Sequence, residues 1–292
     1  LGDRDQLPSV EAGDVLAAIV DAADDDGRGA LRGHRVHLER GWRQDDTLRL
    51  APLADAVRRS DAPEARDEAI ALLRGGALSG VHFHEDLAEP LRDAAFDDLL
   101  AHWRALQAAD DPAAALRAAS RARLLTVLRE GPQGARTLNQ HIEARLAGPR
   151  RDPYFPGRLL LVTENSYRHR LFNGDIGICL PDADGAPVAW FPGDDPGHPR
   201  AFHPAALPAH DSAFAMTVHK AQGSEFDTVW LLLPRRPNRV LSRELVYTGI
   251  TRARRELHLA AGDAIVRDAL SRHAGRWSGL GRRLGAPADG SA

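Results

Sequence analysis

Residues 217–227 read TVHKAQGSEFD, and they hold the sole lysine of a 292-residue chain whose other 37 basic residues are all Arg. An apolar run ends just before them, at Met216, so Thr217 and His219 fall at the C-terminal end of a strand, where open α/β sheets place their ligands. Thr217 can cap the following turn and offer its hydroxyl and backbone N–H to a phosphate. Lys220 adds a compact ammonium where the planar fork of Arg does not fit. Gly223 lets the backbone come close to a ligand, and Glu225 can accept hydrogen bonds from ribose hydroxyls. The same pattern also fits a plain turn with a capping Thr and a solvated Lys. A second set, RELVYTGITRARRE at 243–256, reads as a helix with Val246, Ile250 and Ala253 on one face. Arg252 and Arg254 then point about 200° apart and cannot serve one ligand equally. A solvated basic helix terminus, favoured by the helix dipole, is the alternative. Two loops complete the set. GDRDQLPSV carries Asp3 and Gln6, and GWRQ carries Arg43. A glutamine and two arginines converging on one cleft can sense and neutralise a terminal phosphate.

The elements that must position these residues follow from periodicity. Helices are predicted over 10–24, 47–59, 64–74, 90–107, 112–120 and within ARTLNQHIEARL. HRVHLERGWRQ reads as a short strand running into a turn, 75–89 as irregular, and RLLTVLRE as a buried strand. From residue 150 short apolar runs at 158–163, 176–180, 187–191 and near 200–203 alternate with Asn-Gly, Asp-Gly and Pro signals, which predicts a small antiparallel barrel. After Pro208 strands at 213–216, 228–233 and 256–260 alternate with helices at 217–222, 242–252 and 263–273. Continuous apolar strands between helices predict a parallel sheet covered on both faces. The fold class expected is therefore α/β, a parallel-sheet domain interrupted by a β-barrel insert.

Composition bounds the function. Hydrophobic residues make up 43% and charged residues 27%, with a net charge of −3. That suits a globular chain whose contacts with polyanions come from a local basic cluster. One cysteine, Cys179, excludes an internal disulfide and suits a reducing cytoplasm. No apolar run reaches the roughly 18 residues that a membrane helix needs. The chain opens LGDRDQ and its one methionine is Met216, so it reads as a piece whose missing part lies upstream. No G-x-x-x-x-G-K-[ST] phosphate loop occurs and no Asp-Glu magnesium motif stands ahead of GDRDQLPSV, and no metal-ligand set is assigned to the chain.

In order, GDRDQLPSV, GWRQ, TVHKAQGSEFD and VYTGITRARR resemble motifs III, IV, V and VI of superfamily 1 helicases. LREGPQGARTLNQHI, LFNGDIGI and RWSGL bring the resemblance to the RecD-like branch, the exodeoxyribonuclease V alpha subunits. It covers nearly the whole chain, most weakly at 45–120. The resemblance implies two RecA-like domains with ATP between them. Residues 1–30 would be the tail of the first domain, 31–149 and 209–275 the second, 150–208 an SH3-like insert and 276–292 a tail. It implies that Gln6, Arg43 and Arg252 act on the γ-phosphate, with Arg252 as the arginine finger, although Trp42 replaces the usual tyrosine before Arg43. Gly223 and Glu225 would lie near the nucleotide. Thr217, His219, Lys220 and Asn139 would face single-stranded DNA, with movement 5′ to 3′. Mg²⁺ would be held mainly by the first domain, and RecB- and RecC-type subunits would be partners. A stand-alone RecD-like or relaxase-type helicase shares the four motifs, and a non-catalytic binding module is the alternative from another class.

Overall fold

The structure, a computed structural model, describes residues 2–8, 14–23, 31–36, 47–85, 87, 91, 93–148, 152–275 and 279–284. The chain runs through α1 (Val15–Ala23), α2 (Ala51–Arg58), α3 (Pro63–Arg74), β1 (Val81–His84), α4 (Asp97–Ala105), α5 (Pro112–Ala119), β2 (Ala122–Thr126) and α6 (Ala135–Leu146). Five strands of the insert follow: β3 (Leu159–Val162), β4 (Ile176–Pro181), β5 (Pro187–Phe191), β6 (Arg200–Phe202) and β7 (His210–Ser212). The chain then returns through β8 (Ala215–Thr217), β9 (Phe226–Leu232), α7 (Arg243–Ile250), β10 (Ala253–Ala260), α8 (Asp263–Leu270) and α9 (Leu280–Leu284).

The first sheet has the order β1-β10-β9-β2-β8 and every pairing in it is parallel. All five residues of β2 are buried, as are Val229, Trp230, Leu231 and Leu232 in succession along β9. Successive side chains point to opposite faces, so burial of consecutive residues means both faces are covered. On one face α7 lies so close that a Cβ at Gly249 would sit 2.8 Å from Leu231 Cδ2. A side chain there would push the helix off the strand.

The second sheet, β6-β5-β4-β3-β7, is antiparallel throughout. Its period-two alternation divides its apolar residues between two cores. Leu159, Leu161, Ile178 and Leu180 join the main core. Leu160, Val162, Cys179, Ala189 and Phe191 form a separate one with Leu171. Burial pushes the Cys179 thiol up to about 12, so the chain's one thiol stays protonated and inert.

Four expectations are corrected. The segment 75–89 contains a strand, β1, at the edge of the parallel sheet. Histidines at two of its four positions hide the apolar alternation. In the predicted helix 217–222, Thr217 ends β8 and 218–222 form turns, with one helical-type bond from Ala221 N–H to the Thr217 carbonyl. The predicted helix 242–252 stops at Ile250, and Arg254 and Arg255 belong to β10. They therefore form no basic helix terminus. The insert also gains a fifth strand beyond residue 208. Its hydrogen bonding ends at β6 on one side and β7 on the other among the described residues, so the pairing itself is that of an antiparallel sheet. The strand expected in HRVHLERG, and Arg43 after it, lie largely outside the described residues.

An ion cluster around the buried Glu244 anchors α7. Ser242 Oγ accepts from Leu245 N–H at its start. Glu244, 5% exposed, receives His273 Nδ1 at 2.6 Å and Ala274 N–H at 2.7 Å. Arg243 bridges Glu244 to Asp61. Burial alone would raise the Glu244 carboxyl, but the bonds from His273 and Ala274 outweigh it and hold the group at about 2. A depressed folded value stabilises above the unfolded value and is lost as pH falls through the folded one. Glu244→Gln is therefore expected to cost on the order of 2 kcal/mol at neutral pH, less than the full linkage value because the histidine is largely exposed. Urea unfolding at a series of pH values should show that difference fading between 4.5 and about 2.

Candidate functional site

Arg252 sits between the end of α7 and the start of β10, 2% exposed. Its Nε donates to the Thr248 carbonyl at 3.1 Å, its Nη1 to the Ser224 carbonyl at 3.2 Å and its Nη2 to Gln6 Oε1 at 3.0 Å. Three acceptors from three chain segments thus fix the plane of the guanidinium, the group best suited to bidentate contact with phosphate oxygens. Gln6 is held in turn, its Nε2 donating to Asp3 Oδ2 at 3.1 Å. That same carboxylate oxygen accepts from the Tyr247 hydroxyl at 3.1 Å.

The segment 3–7 is stitched to the rest of the site along its length. Leu7 N–H donates to Thr248 Oγ1 at 2.7 Å, and Gln222 Nε2 donates to the Leu7 carbonyl at 2.9 Å. Thr248 therefore holds Leu7 with its hydroxyl and Arg252 with its carbonyl. Burial and the neighbouring Asp3 push the Asp5 carboxyl upward. A cavity of about 320 Å³ opens beside Gln6, lined also by Asp3, Arg4, Asp14 and Leu16. A larger one, about 430 Å³, lies elsewhere, between α6 and residues 152–158.

At the other end of the same loop, Thr217 closes β8. Its Oγ1 accepts from Lys220 N–H at 3.3 Å, so the expected cap forms. Lys220 is one-third exposed, with Nζ 4.0 Å from Asp211. Burial lowers its pKa, Asp211 opposes this, and Arg129 adds to the lowering. A poorly paired, partly desolvated ammonium beside a second cation is a receptive partner for an anion. His219 is half-buried beside it. Gly223 has φ +83° with nothing near its Cβ direction, which leaves its backbone open to close approach. Glu225 is exposed.

Asn139 behaves differently from the others. It is 7% exposed on the inner face of α6. Its Nδ2 donates to the carbonyls of Ser212 (3.0 Å) and Ala215 (2.8 Å), and its Oδ1 accepts from Ala215 N–H at 2.7 Å. It clamps the crossing from the insert into β8 and so sets where Thr217 lies, which is a positioning task. Direct contact with a ligand does not fit that geometry.

The structure thus joins Gln6 to Arg252 directly, and places Thr217, Lys220 and Gly223 on one loop whose Ser224 carbonyl reaches the same Arg252. Reading the sequence missed Gln222, Ser224, Tyr247 and Thr248 as supports, although all four lie inside the quoted motifs. It also missed a cluster of His82, Glu256 and His258 on the parallel sheet, because two distant segments supply it. The described residues fit the phosphate end of a nucleotide better than its metal end. The carboxylate joined to Arg252 through Gln6, that of Asp3, is engaged by Gln6, Tyr247 and the Asp5 N–H. No helix among the described residues is long and apolar enough to cross a membrane.

Residues 212–260, from the end of β7 through β10, match the family model of the UvrD-like helicase C-terminal domain. Over 97% of its length the chain is 36% identical to the RecBCD enzyme subunit RecD of Mycolicibacterium smegmatis, covering 48% of that protein. It is 30% identical to the ATP-dependent RecD2 DNA helicase of Deinococcus radiodurans over 90% of this chain and 32% of that one. Among solved structures, a Bacteroides Pif1 helicase in complex with ADP-AlF3 and ssDNA aligns at 13% identity and a TM-score of 0.41. That alignment covers 88% of this chain and 60% of the other, a likeness too slight to carry argument. The chain spans about half the length of the curated RecD relatives it matches.

Proposed function

We propose that this chain, a RecD-like helicase segment, forms the half of an ATP-driven DNA motor that reads the γ-phosphate and passes the signal to a bound strand. The bond from Arg252 Nη2 to Gln6 Oε1 carries the reading. A phosphate oxygen that replaces Gln6 Oε1 at Nη2 finds the guanidinium already oriented by Thr248 and Ser224. Arg43, placed by the motif GWRQ, supplies the second cation. ATP brings the phosphoryl group, with Mg²⁺ held mainly by a preceding RecA-like domain. Arginine stabilises charge that develops as the phosphoryl group moves. Gly223 and Glu225 serve the nucleotide side of the loop. Thr217, His219 and Lys220 grip single-stranded DNA through its backbone, without sequence preference. Displacing Gln6 shifts Ser224, and the eight residues back to Thr217 convey that shift to the DNA contacts. The insert of residues 150–208, SH3-like in our reading, adds a further hold on DNA.

The relatives named RecBCD enzyme subunit RecD support a place for the complete protein beside RecB- and RecC-type subunits in exodeoxyribonuclease V; movement 5′ to 3′ and a part in double-strand break repair belong to the same proposal. The RecD2 relative supports a second reading, a helicase that acts alone. Co-purification separates them, because only a subunit brings stoichiometric partners with it. The motor reading itself is tested by DNA-stimulated ATP hydrolysis. The complete protein is expected to turn over ATP and this chain by itself to hydrolyse none. Turnover by the isolated chain, or none by the complete protein with its partners, would overturn the proposal.

Lys220→Ala is expected to weaken single-strand binding several-fold. The slope of log affinity against log salt should shrink by about 0.7, one phosphate contact's worth. Fluorescence anisotropy at several salt concentrations measures both. An unchanged slope would remove Lys220 from the DNA surface.

A further inference from the structure

The structure assigns a transition-metal site to His82, Glu256 and His258, suited to Zn²⁺ and to no role in the nucleotide chemistry. Strands β1 and β10 pair in parallel with His82 directly beside His258. Glu256 lies two residues before His258, so the strand pleat puts it on the same face. His82 Nε2 is 3.1 Å and His258 Nε2 is 3.3 Å from the same oxygen, Glu256 Oε1, and the three ligand atoms lie within 4.8 Å of one another. Two ligands bound tetrahedrally to zinc at the usual bond lengths of about 2.0–2.1 Å stand roughly 3.3 Å apart. The separations to Glu256 already have that size. Two imidazoles and one carboxylate are a donor set that suits zinc and its neighbours and does not suit Mg²⁺ or Ca²⁺.

The surroundings hold these ligands in place. His258 Nδ1 lies 3.0 Å from His84 Nε2. When Nδ1 donates its proton there, Nε2 turns a lone pair toward Glu256 Oε1, and two acceptors face each other until a cation sits between them. Orientation of a ligand imidazole through its other nitrogen is the usual support of a metal site. Trp230, in register with His258 on β9, stacks on that ring at 4.4 Å and 7°. It stacks on His84 as well, at 4.6 Å. The side chains of His82 and Glu256 are 47% and 41% exposed, so an ion can enter and a fourth, solvent ligand can complete the shell. Glu256, on β10, lies four residues after Arg252. Its ligands come from β10 and from β1 at the sheet edge, so an ion bound there ties the two strands together.

The test uses the metal-stripped chain, dialysed against Zn²⁺, with metal content and calorimetry read together. One equivalent is expected at micromolar affinity or better, together with a rise in melting temperature that EDTA reverses. His258→Ala and Glu256→Gln should each weaken binding at least thirtyfold. His84→Ala, which removes only the support, should weaken it about tenfold. His198→Ala, at an exposed His–Asp pair on the insert, should change nothing. Because Glu256→Gln keeps the side chain's shape, it guards against a loss caused by misfolding. Substitution with Co²⁺ should give visible absorption bands that vanish in His258→Ala. Absence of stoichiometric uptake would overturn the assignment. Uptake that survives both ligand substitutions, or is lost equally in His198→Ala, would do the same. In those cases the three side chains form an ordinary hydrogen-bonded ion cluster.

Discussion

Arg252→Ala in the complete protein is expected to lower DNA-stimulated ATP hydrolysis by about 10³-fold or more, with single-strand affinity held within about threefold. The guanidinium is the only group in its network with donors on three sides. Alanine removes the positive charge and takes one donor from the Ser224 carbonyl and one from the Thr248 carbonyl, which keeps only the Thr251 hydroxyl. Part of the loss could then be structural, and two controls separate the parts. Arg252→Lys keeps the charge but loses the planar fork, so it should restore stability more fully than activity. Gln6→Ala leaves Arg252 bound to Thr248 and Ser224. It should reduce the stimulation of hydrolysis by DNA more than the basal rate, because the glutamine is the element that links phosphate to strand. Hydrolysis by Arg252→Ala within tenfold of the parent would remove it from the reaction.

Asn139→Ala should destabilise the chain by about 3 kcal/mol, since three buried backbone groups lose their partner and each costs roughly 1 kcal/mol or more when orphaned. Those groups are the carbonyls of Ser212 and Ala215 and the N–H of Ala215. Asn139→Asp should be no better, because a carboxylate would face two carbonyl oxygens. Urea unfolding with an unchanged slope measures the loss. Single-strand affinity should fall as well, since Thr217 lies two residues beyond the clamp. A loss under about 1 kcal/mol would show that β8 is held by other means and that Asn139 is available to a ligand after all.

Much of the candidate site was legible because its parts lie within short motifs. The residue types in TVHKAQGSEFD already specify a cap, a cation and a glycine that leaves the backbone open, and local geometry delivers all three. Arg252 illustrates the limit. Its motif marks it out among 37 arginines, but nothing local says that it is buried or that Gln6 is its partner. Arg123, also buried, reads in the sequence as an unremarkable strand residue. In the structure it bonds the Ala119 and Ala213 carbonyls and lies over the Phe226 ring. Asn139 stood with the DNA-facing residues by resemblance, and its burial gives it another task. The strand β1 was missed for a related reason. His82 and His84 look polar in the chain, and only stacking with Trp230 and His258 across two other strands makes them compatible with a sheet.

The sequence by itself determined the α/β class, the interruption by antiparallel strands and the order of the motifs. Those depend on periodicity, turn residues and spacing, which act over a few residues at a time. Tertiary structure alone decided the strand order β1-β10-β9-β2-β8 and the meeting of Gln6 with Arg252, 246 positions apart. It also decided the gathering of His82, Glu256 and His258 on one face. Parallel neighbours are joined by long crossovers, so residues that touch across such a sheet leave no local periodicity to read.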